Sequence, residues 1–148
     1  MEDKLKQGEA LFAEGKIEAA EKCFLYFLDE NPEDAEVLNN LGVIYHTIGN
    51  FDHAEGYLLK ALSVKDNHLD ALHNLSDVYQ SANRWEEAAI QLEKYITIDS
   101  QDHNVFNKLG VIYLEMGKND KARIALKKSL ELNPEQEAVQ EEEQEPIQ

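Results

Sequence analysis

The sequence predicts an all-α protein built as a stack of antiparallel helix pairs, and three observations carry the prediction. An octet recurs at a fixed spacing: Leu38 to Tyr45 reads Leu-Asn-Asn-Leu-Gly-Val-Ile-Tyr, Leu72 to Tyr79 reads Leu-His-Asn-Leu-Ser-Asp-Val-Tyr, and Phe106 to Tyr113 reads Phe-Asn-Lys-Leu-Gly-Val-Ile-Tyr. The period is 34 residues both times, and a period of this size marks a stack of similar units. Small residues recur in phase with it: Gly8, Gly42, Ser76 and Gly110, then Ala20, Ala54, Ala88 and Ala122. Within each unit two apolar stripes at helical spacing are separated by Gly15, Gly49, Asn83 or Gly117.

The units are 1–34, 35–68, 69–102 and 103–136, followed by a tail at 137–148. Unit two shows the physics of all four. Leu38, Leu41, Ile44, Tyr45 and Ile48 share one helical face; Ala54, Leu58, Ala61 and Leu62 form the stripe of a second helix. Gly or Asn between them suits a left-handed residue just past a helix end. Antiparallel helices approach closely where Gly42 meets Ala54, because neither carries much side chain. At the unit boundaries, Asn31-Pro32 and Asn133-Pro134 read as an N-cap followed by proline in the first turn, with Asp66 and Ser100 capping the other units.

Unit one starts polar where the others are apolar: Lys4 and Gln7 suit a terminal helix that no preceding unit covers. Its second helix holds the run Cys23 to Leu28, read as packing. Trp85 opens the second helix of unit three, in register with Ile17 and Phe51, and is expected in the core. Unit four is basic, with six cations against four acids, whereas unit one has ten acids against four bases. The tail adds five acids and no base; a short helix is expected to about Glu143, fraying before Pro146, with Ala138 and Val139 covering part of unit four.

The residues at these phased positions resemble the tetratricopeptide repeat family, whose pattern is Trp-x2-Leu-Gly-x2-Tyr, Ala-x3-Phe and Pro within one repeat. Leu41, Gly42, Tyr45, Ala54 and Leu58 follow it in unit two; Leu109, Gly110, Tyr113, Ala122, Leu126 and Pro134 follow it in unit four. The tryptophan is replaced by Lys4, Leu38, Leu72 and Phe106. The resemblance implies a right-handed superhelix whose first helices line a concave, ligand-binding face. Carried over position by position, that face holds Lys6, Glu9 and Phe12, then Asn39, Asn40, Val43 and His46. It continues with His73, Asn74, Asp77 and Gln80, and then Asn107, Lys108, Val111 and Leu114.

Asparagine recurs on this face, and its side chain both donates and accepts, so it can pair with a peptide backbone without reading side chains. Asn40 and Asn74, one repeat apart, are expected to form a short ladder. Relatives that clamp the carboxylate tails of heat-shock chaperones need two asparagines and several cations here. Asn40 matches one asparagine, but the other matching positions, where the clamp needs cations or asparagine, carry Leu5, Glu9, Asp70 and Asn74. The frame one unit later offers only Lys108 as a cation. Glu9, Asp70 and Asp77 would repel such a tail, which leaves a neutral or basic peptide.

Composition narrows the function classes. A net charge of −16 argues against DNA, RNA and anionic lipid, which need a basic face. Cys23 is the single cysteine, so no internal disulfide forms, and it reads as a small buried side chain. Neither a secretory leader nor a membrane-length apolar run is seen, which gives a cytoplasmic location by default. No catalytic constellation, cofactor motif or phosphate loop is found. His46, His73 and Asp77 make a weak metal set, and solvated histidines are the favoured reading. The leading expectation is a non-enzymatic adaptor or chaperone-like module that binds an extended peptide. The alternative is a self-assembling scaffold that pairs acidic and basic ends as a homo-oligomer.

Overall fold

A computed structural model describes residues 2–135, in which eight α-helices and no strands are found. They are α1 (Glu2–Ala13), α2 (Ile17–Glu30), α3 (Ala35–Thr47), α4 (Phe51–Val64), α5 (Leu69–Ser81), α6 (Trp85–Ile98), α7 (His103–Glu115) and α8 (Asn119–Leu132). Pro134 and Glu135 are helical after a break at Asn133, and the rest of the expected tail helix lies outside the described residues. The chain forms two compact units, divided between Asn83 and Arg84, so the boundary falls inside the third repeat.

The turns within the helix pairs follow one design. Gly15, Gly49 and Gly117 have φ of +79°, +83° and +73°, and Asn83 has +59°. The first helix then ends in a wrapped cap: Lys16 N–H donates to Leu11 O at 2.9 Å, Asn50 N–H to Tyr45 O at 2.8 Å, and Lys118 N–H to Tyr113 O at 2.8 Å. A side chain at φ near +80° costs about 1 kcal/mol or more, which explains why Gly recurs there.

In the first unit α1 pairs with α2 and α3 with α4, while α3 also packs on α2 and α5. Ala20, Phe24, Phe27, Val37, Leu41 and Ile44 form a buried cluster that joins the first pair to the next repeat. The phased small residues seat one large residue each. A Cβ on Gly42 would lie 2.5 Å from Leu58 Cγ, and one on Gly8 would lie 2.8 Å from Phe24 Cε1. Leu58 is fully buried as a result, a burial that contributes about 1.5–3 kcal/mol. Cys23 is buried and unpaired.

The second unit repeats the scheme with α6, α7 and α8, where α7 packs on both neighbours. A Cβ on Gly110 would lie 2.7 Å from Leu126. Ala88 and Ala122 are fully buried. Trp85, expected in the core, is only half-buried: it is the first residue of α6, at the helix end rather than in its interior.

The caps between repeats depart from the sequence reading. Asn31 ends α2 instead of starting α3, and its Nδ2 donates to Phe27 O at 3.1 Å. The N-cap of α3 is Asp34, whose Oδ1 accepts from Val37 N–H at 3.1 Å. Pro32 therefore sits in the inter-repeat turn. Likewise His68, not Asp66, caps α5, and Asp102, not Ser100, caps α7. In each case the residue that caps is the one next to the first helical residue, because only there does the side chain reach the unpaired amides of the first turn.

Candidate functional site

The face to which the sequence reading assigns ligand binding is built, in the first unit, from α1, α3 and α5. Side by side, α3 and α5 bring Asn39 and Asn74 together: Asn74 Nδ2 donates to Asn39 Oδ1 at 3.0 Å. Asn39 is 6% exposed, so most of its capacity serves this helix contact. The pairing runs from Asn39 to Asn74, offset by one residue from the expected rung between Asn40 and Asn74. Asn40 is half-buried beside it. Holding Nδ2 in a bond fixes the Asn74 carboxamide and leaves its carbonyl oxygen as an oriented acceptor.

His46 lies at the C-terminal end of the same face. Its Nε2 is 2.9 Å from Ser81 Oγ, and its ring tilts over Phe51 with centroids 5.8 Å apart. His73 Nδ1 lies 3.5 Å from Asp77 Oδ2 one turn along α5. Val43 and Gln80 are half-buried; Lys6 and Glu9 are exposed on α1. Phe12 packs against the buried cluster of the first unit. Among the described residues, no group of three or more His, Cys, Asp or Glu side chains is placed to hold a metal ion.

In the second unit, α7 carries half-buried Asn107 and Lys108 and exposed Val111 and Leu114, the last at 50% exposure. Its N-terminus is held by Asp102, which accepts from Asn104 N–H at 3.0 Å and from the Tyr95 hydroxyl of α6 at 3.0 Å.

Two polar links, the first of them recurring, were missed from the sequence. The Tyr79 hydroxyl of α5 donates to Glu55 Oε1 of α4 at 3.1 Å, and the Tyr113 hydroxyl of α7 donates to Glu93 Oε1 of α6 at 2.7 Å. Burial, then the charge of Glu21, raises the pKa of the phased Tyr45 above its ordinary value. The second link is His68, 3% exposed, which caps α5 through Nδ1 (3.1 Å from Ala71 N) while Nε2 lies 2.8 Å from Glu36 Oε1 of α3. Because Nδ1 accepts, the proton of the neutral imidazole belongs on Nε2. The phased Tyr was the only available signal for the first link, since its Glu partners stand 24 and 20 residues earlier and out of phase; nothing in the sequence distinguishes His68.

Among the described residues no helix is long and apolar enough to cross a membrane. Three family models, each described as tetratricopeptide repeat, match residues 5–68, 68–98 and 103–136. No curated protein matches the chain. Among solved structures, the crystal structure of MamA is 25% identical, with a TM-score of 0.81, over 86% of this chain and 74% of that one. PilF of Pseudomonas aeruginosa is 26% identical, with a TM-score of 0.80, over 90% of this chain and 61% of that one. A tetratricopeptide repeat protein from Parabacteroides merdae, 20% identical with a TM-score of 0.84, matches 90% of this chain and 53% of its own and shows the likeness of fold alone. With the period, the left-handed turn residues and the seated large side chains, these matches show that the chain belongs to the tetratricopeptide repeat family.

Proposed function

We propose that this protein-interaction module acts as an adaptor or chaperone-like protein, binding an extended neutral or basic peptide along the face of its first helices. The observation that carries the reading is the Asn39–Asn74 hydrogen bond, which presents an oriented carbonyl acceptor beside half-buried Asn40. An extended peptide offers amides and carbonyls that such carboxamides can satisfy without selecting side chains. Glu9 and Asp70 are exposed and Asp77 is half-buried on the same helices, which favours a neutral or basic ligand over an acidic one. His46, His73, Gln80, Lys6 and Val43, with Phe12, belong to the same proposed face in the first unit. Asn107, Lys108, Val111 and Leu114 supply the corresponding positions on α7. The test is affinity capture from source lysate with wild type and the Asn40→Ala/Asn74→Ala double variant, both shown to fold by circular dichroism. A protein held by wild type and lost by the double variant is the expected result; one retained equally by both contradicts the reading.

A second reading, self-assembly through unlike ends, is favoured by the exposure of its charges. Lys118, Lys121, Arg123 and Lys127 are exposed in the fourth repeat, as are Glu9, Glu14, Glu18, Glu30 and Glu33 in the first. Such contacts are screened by salt. Light scattering that shows oligomers shrinking as salt rises supports it, and a salt-independent monomer removes it.

A further inference from the structure

Positions two periods apart show a groove along the second helix of a repeat that is closed in the first unit and open in the second. In the first unit it runs along α4. The Tyr57 ring stacks on the Tyr45 ring with centroids 5.3 Å apart and planes within 4°, and His53 stacks on Tyr45 at 5.2 Å. With Tyr57 in place, what remains is a hollow of about 340 Å³ lined by α4 alone: Asp52, His53, Gly56, Tyr57 and Lys60. In the second unit the residues matching His53, Gly56, Tyr57 and Lys60 are Lys121, Ile124, Ala125 and Lys128 of α8. Ala125 fills little of the space that Tyr57 takes. The cleft of about 410 Å³ accordingly reaches past α8 to Ile96 of α6 and to Phe106, Leu109 and Tyr113 of α7.

The chemistry of the open cleft follows from its lining. The floor is apolar, and Ile124, 70% exposed, stands beside it. Lys121 occupies the place of His53 and holds Nζ 5.7 Å from the centroid of the Tyr113 ring, so a ring slotted in there meets a cation as well as an aromatic neighbour. Along α8, Lys121, Arg123, Lys127 and Lys128 outnumber Asp120 and Glu131, and the nearby Glu93 of α6 accepts the Tyr113 hydroxyl. We propose that this cleft is a second binding site, which takes the tyrosine or phenylalanine side chain of an acidic peptide segment. The ring takes the place beside Tyr113 that Tyr57 holds beside Tyr45. Carboxylates on either side of it pair with Lys121 and Lys128, where a basic segment would meet like charge. On α7 the cleft uses Phe106, Leu109 and Tyr113, whereas the first-helix face uses Asn107, Lys108, Val111 and Leu114, so the two sites share no residue and select ligands of opposite charge.

The test is a methyl NMR titration of the full chain with the peptide acetyl-Glu-Glu-Tyr-Glu-Glu-amide. The expected result is saturable movement of the Ile124 methyl signal, with Ile48 and Val64 of the first unit unmoved. Replacing the peptide's tyrosine by alanine should weaken binding about tenfold or more, the loss of one buried aromatic side chain, and replacing its glutamates by lysines should abolish binding. Ala125→Tyr, which supplies from within the ring that Tyr57 supplies in the first unit, should also abolish it. Lys121→Glu/Lys128→Glu leaves every apolar lining residue in place and should do the same, which keeps the test decisive if Ala125→Tyr fails to fold. An Ile124 signal that the peptide leaves unmoved overturns the proposal. So do equal affinities for the tyrosine and alanine peptides, which reduce the contact to charge alone, and movement centred on Val111 and Leu114, which places the peptide on the first-helix face. Movement of Ile124 with protein concentration alone, lost in Tyr26→Ala, also overturns it, because the exposed Tyr26 of a second copy is then the occupant.

Discussion

The Tyr113 hydroxyl donates a 2.7 Å hydrogen bond to Oε1 of Glu93, linking α7 to the last helix of the preceding repeat. The phased Tyr79 makes the same kind of link to Glu55, 24 residues earlier. At the position 24 residues before Tyr113 the chain has Ala89, and Glu93, one helical turn further on, takes over. The same kind of contact is thus made one helical turn away from the in-phase position.

Tyr113→Phe should therefore lower stability by about 1.5–3 kcal/mol, the range for a hydrogen bond to a charged group. Urea denaturation measures it. Glu93→Gln should cost less, since a neutral acceptor remains, and the double variant should cost less than the sum of the two.

Burial, the hydrogen bond to Glu93 and the Glu93 charge, in that order, push the Tyr113 pKa well above its ordinary 10.0. A group whose folded pKa is raised contributes its stability in full below the unfolded value. That contribution is lost as pH rises through the folded one. Stability should fall above about pH 10, and Tyr113→Phe should flatten that fall. An identical alkaline slope in the variant contradicts the assignment.

Gly42→Ala places a Cβ against Leu58 Cγ and Cδ2 at 2.5 and 2.7 Å. Overpacking of this kind should cost about 1–3 kcal/mol. Leu58→Ala in the same background should recover part of the loss, which a double-mutant cycle detects. Gly49→Ala meets no atom within 4 Å, so its cost arises from φ +83° alone and no partner change should relieve it. Ala88→Leu, at a fully buried site, should also destabilise by overpacking.

Asp34→Ala should cost about 1 kcal/mol through the lost N-cap of α3. Asp66→Ala and Ser100→Ala should stay within about 0.5 kcal/mol of wild type. Thermal melts of the three variants separate this cap register from the alternative that places caps at Asn31, Asp66 and Ser100.

The helix pairs, their turns and the seats for large residues were legible because each depends on one residue type at a fixed period. Gly49 is required by its own backbone angle and Gly42 by Leu58, so both leave a mark in sequence. The caps were not legible. An Asn before Pro is extended whether it starts a helix or sits in a turn, and only the distance to the first unpaired amide selects Asp34. Contacts between repeats were also hidden. Asn39 meets Asn74 at an offset of 35 residues, one more than the period, so comparing equivalent positions pointed to Asn40 instead. Trp85 shares its register with Phe51 and Ile17, and all three stay half-buried at helix starts.

The central claim is that a peptide lies along the first-helix face, and site-specific photo-crosslinking in source lysate tests it most directly. A benzophenone side chain at Gln80 reports that face; one at exposed Leu59 reports the second helices. The account predicts a discrete protein adduct from Gln80, none from Leu59, and loss of the adduct in the Asn40→Ala/Asn74→Ala background. The same adduct from Leu59, persisting in the double variant, would contradict it.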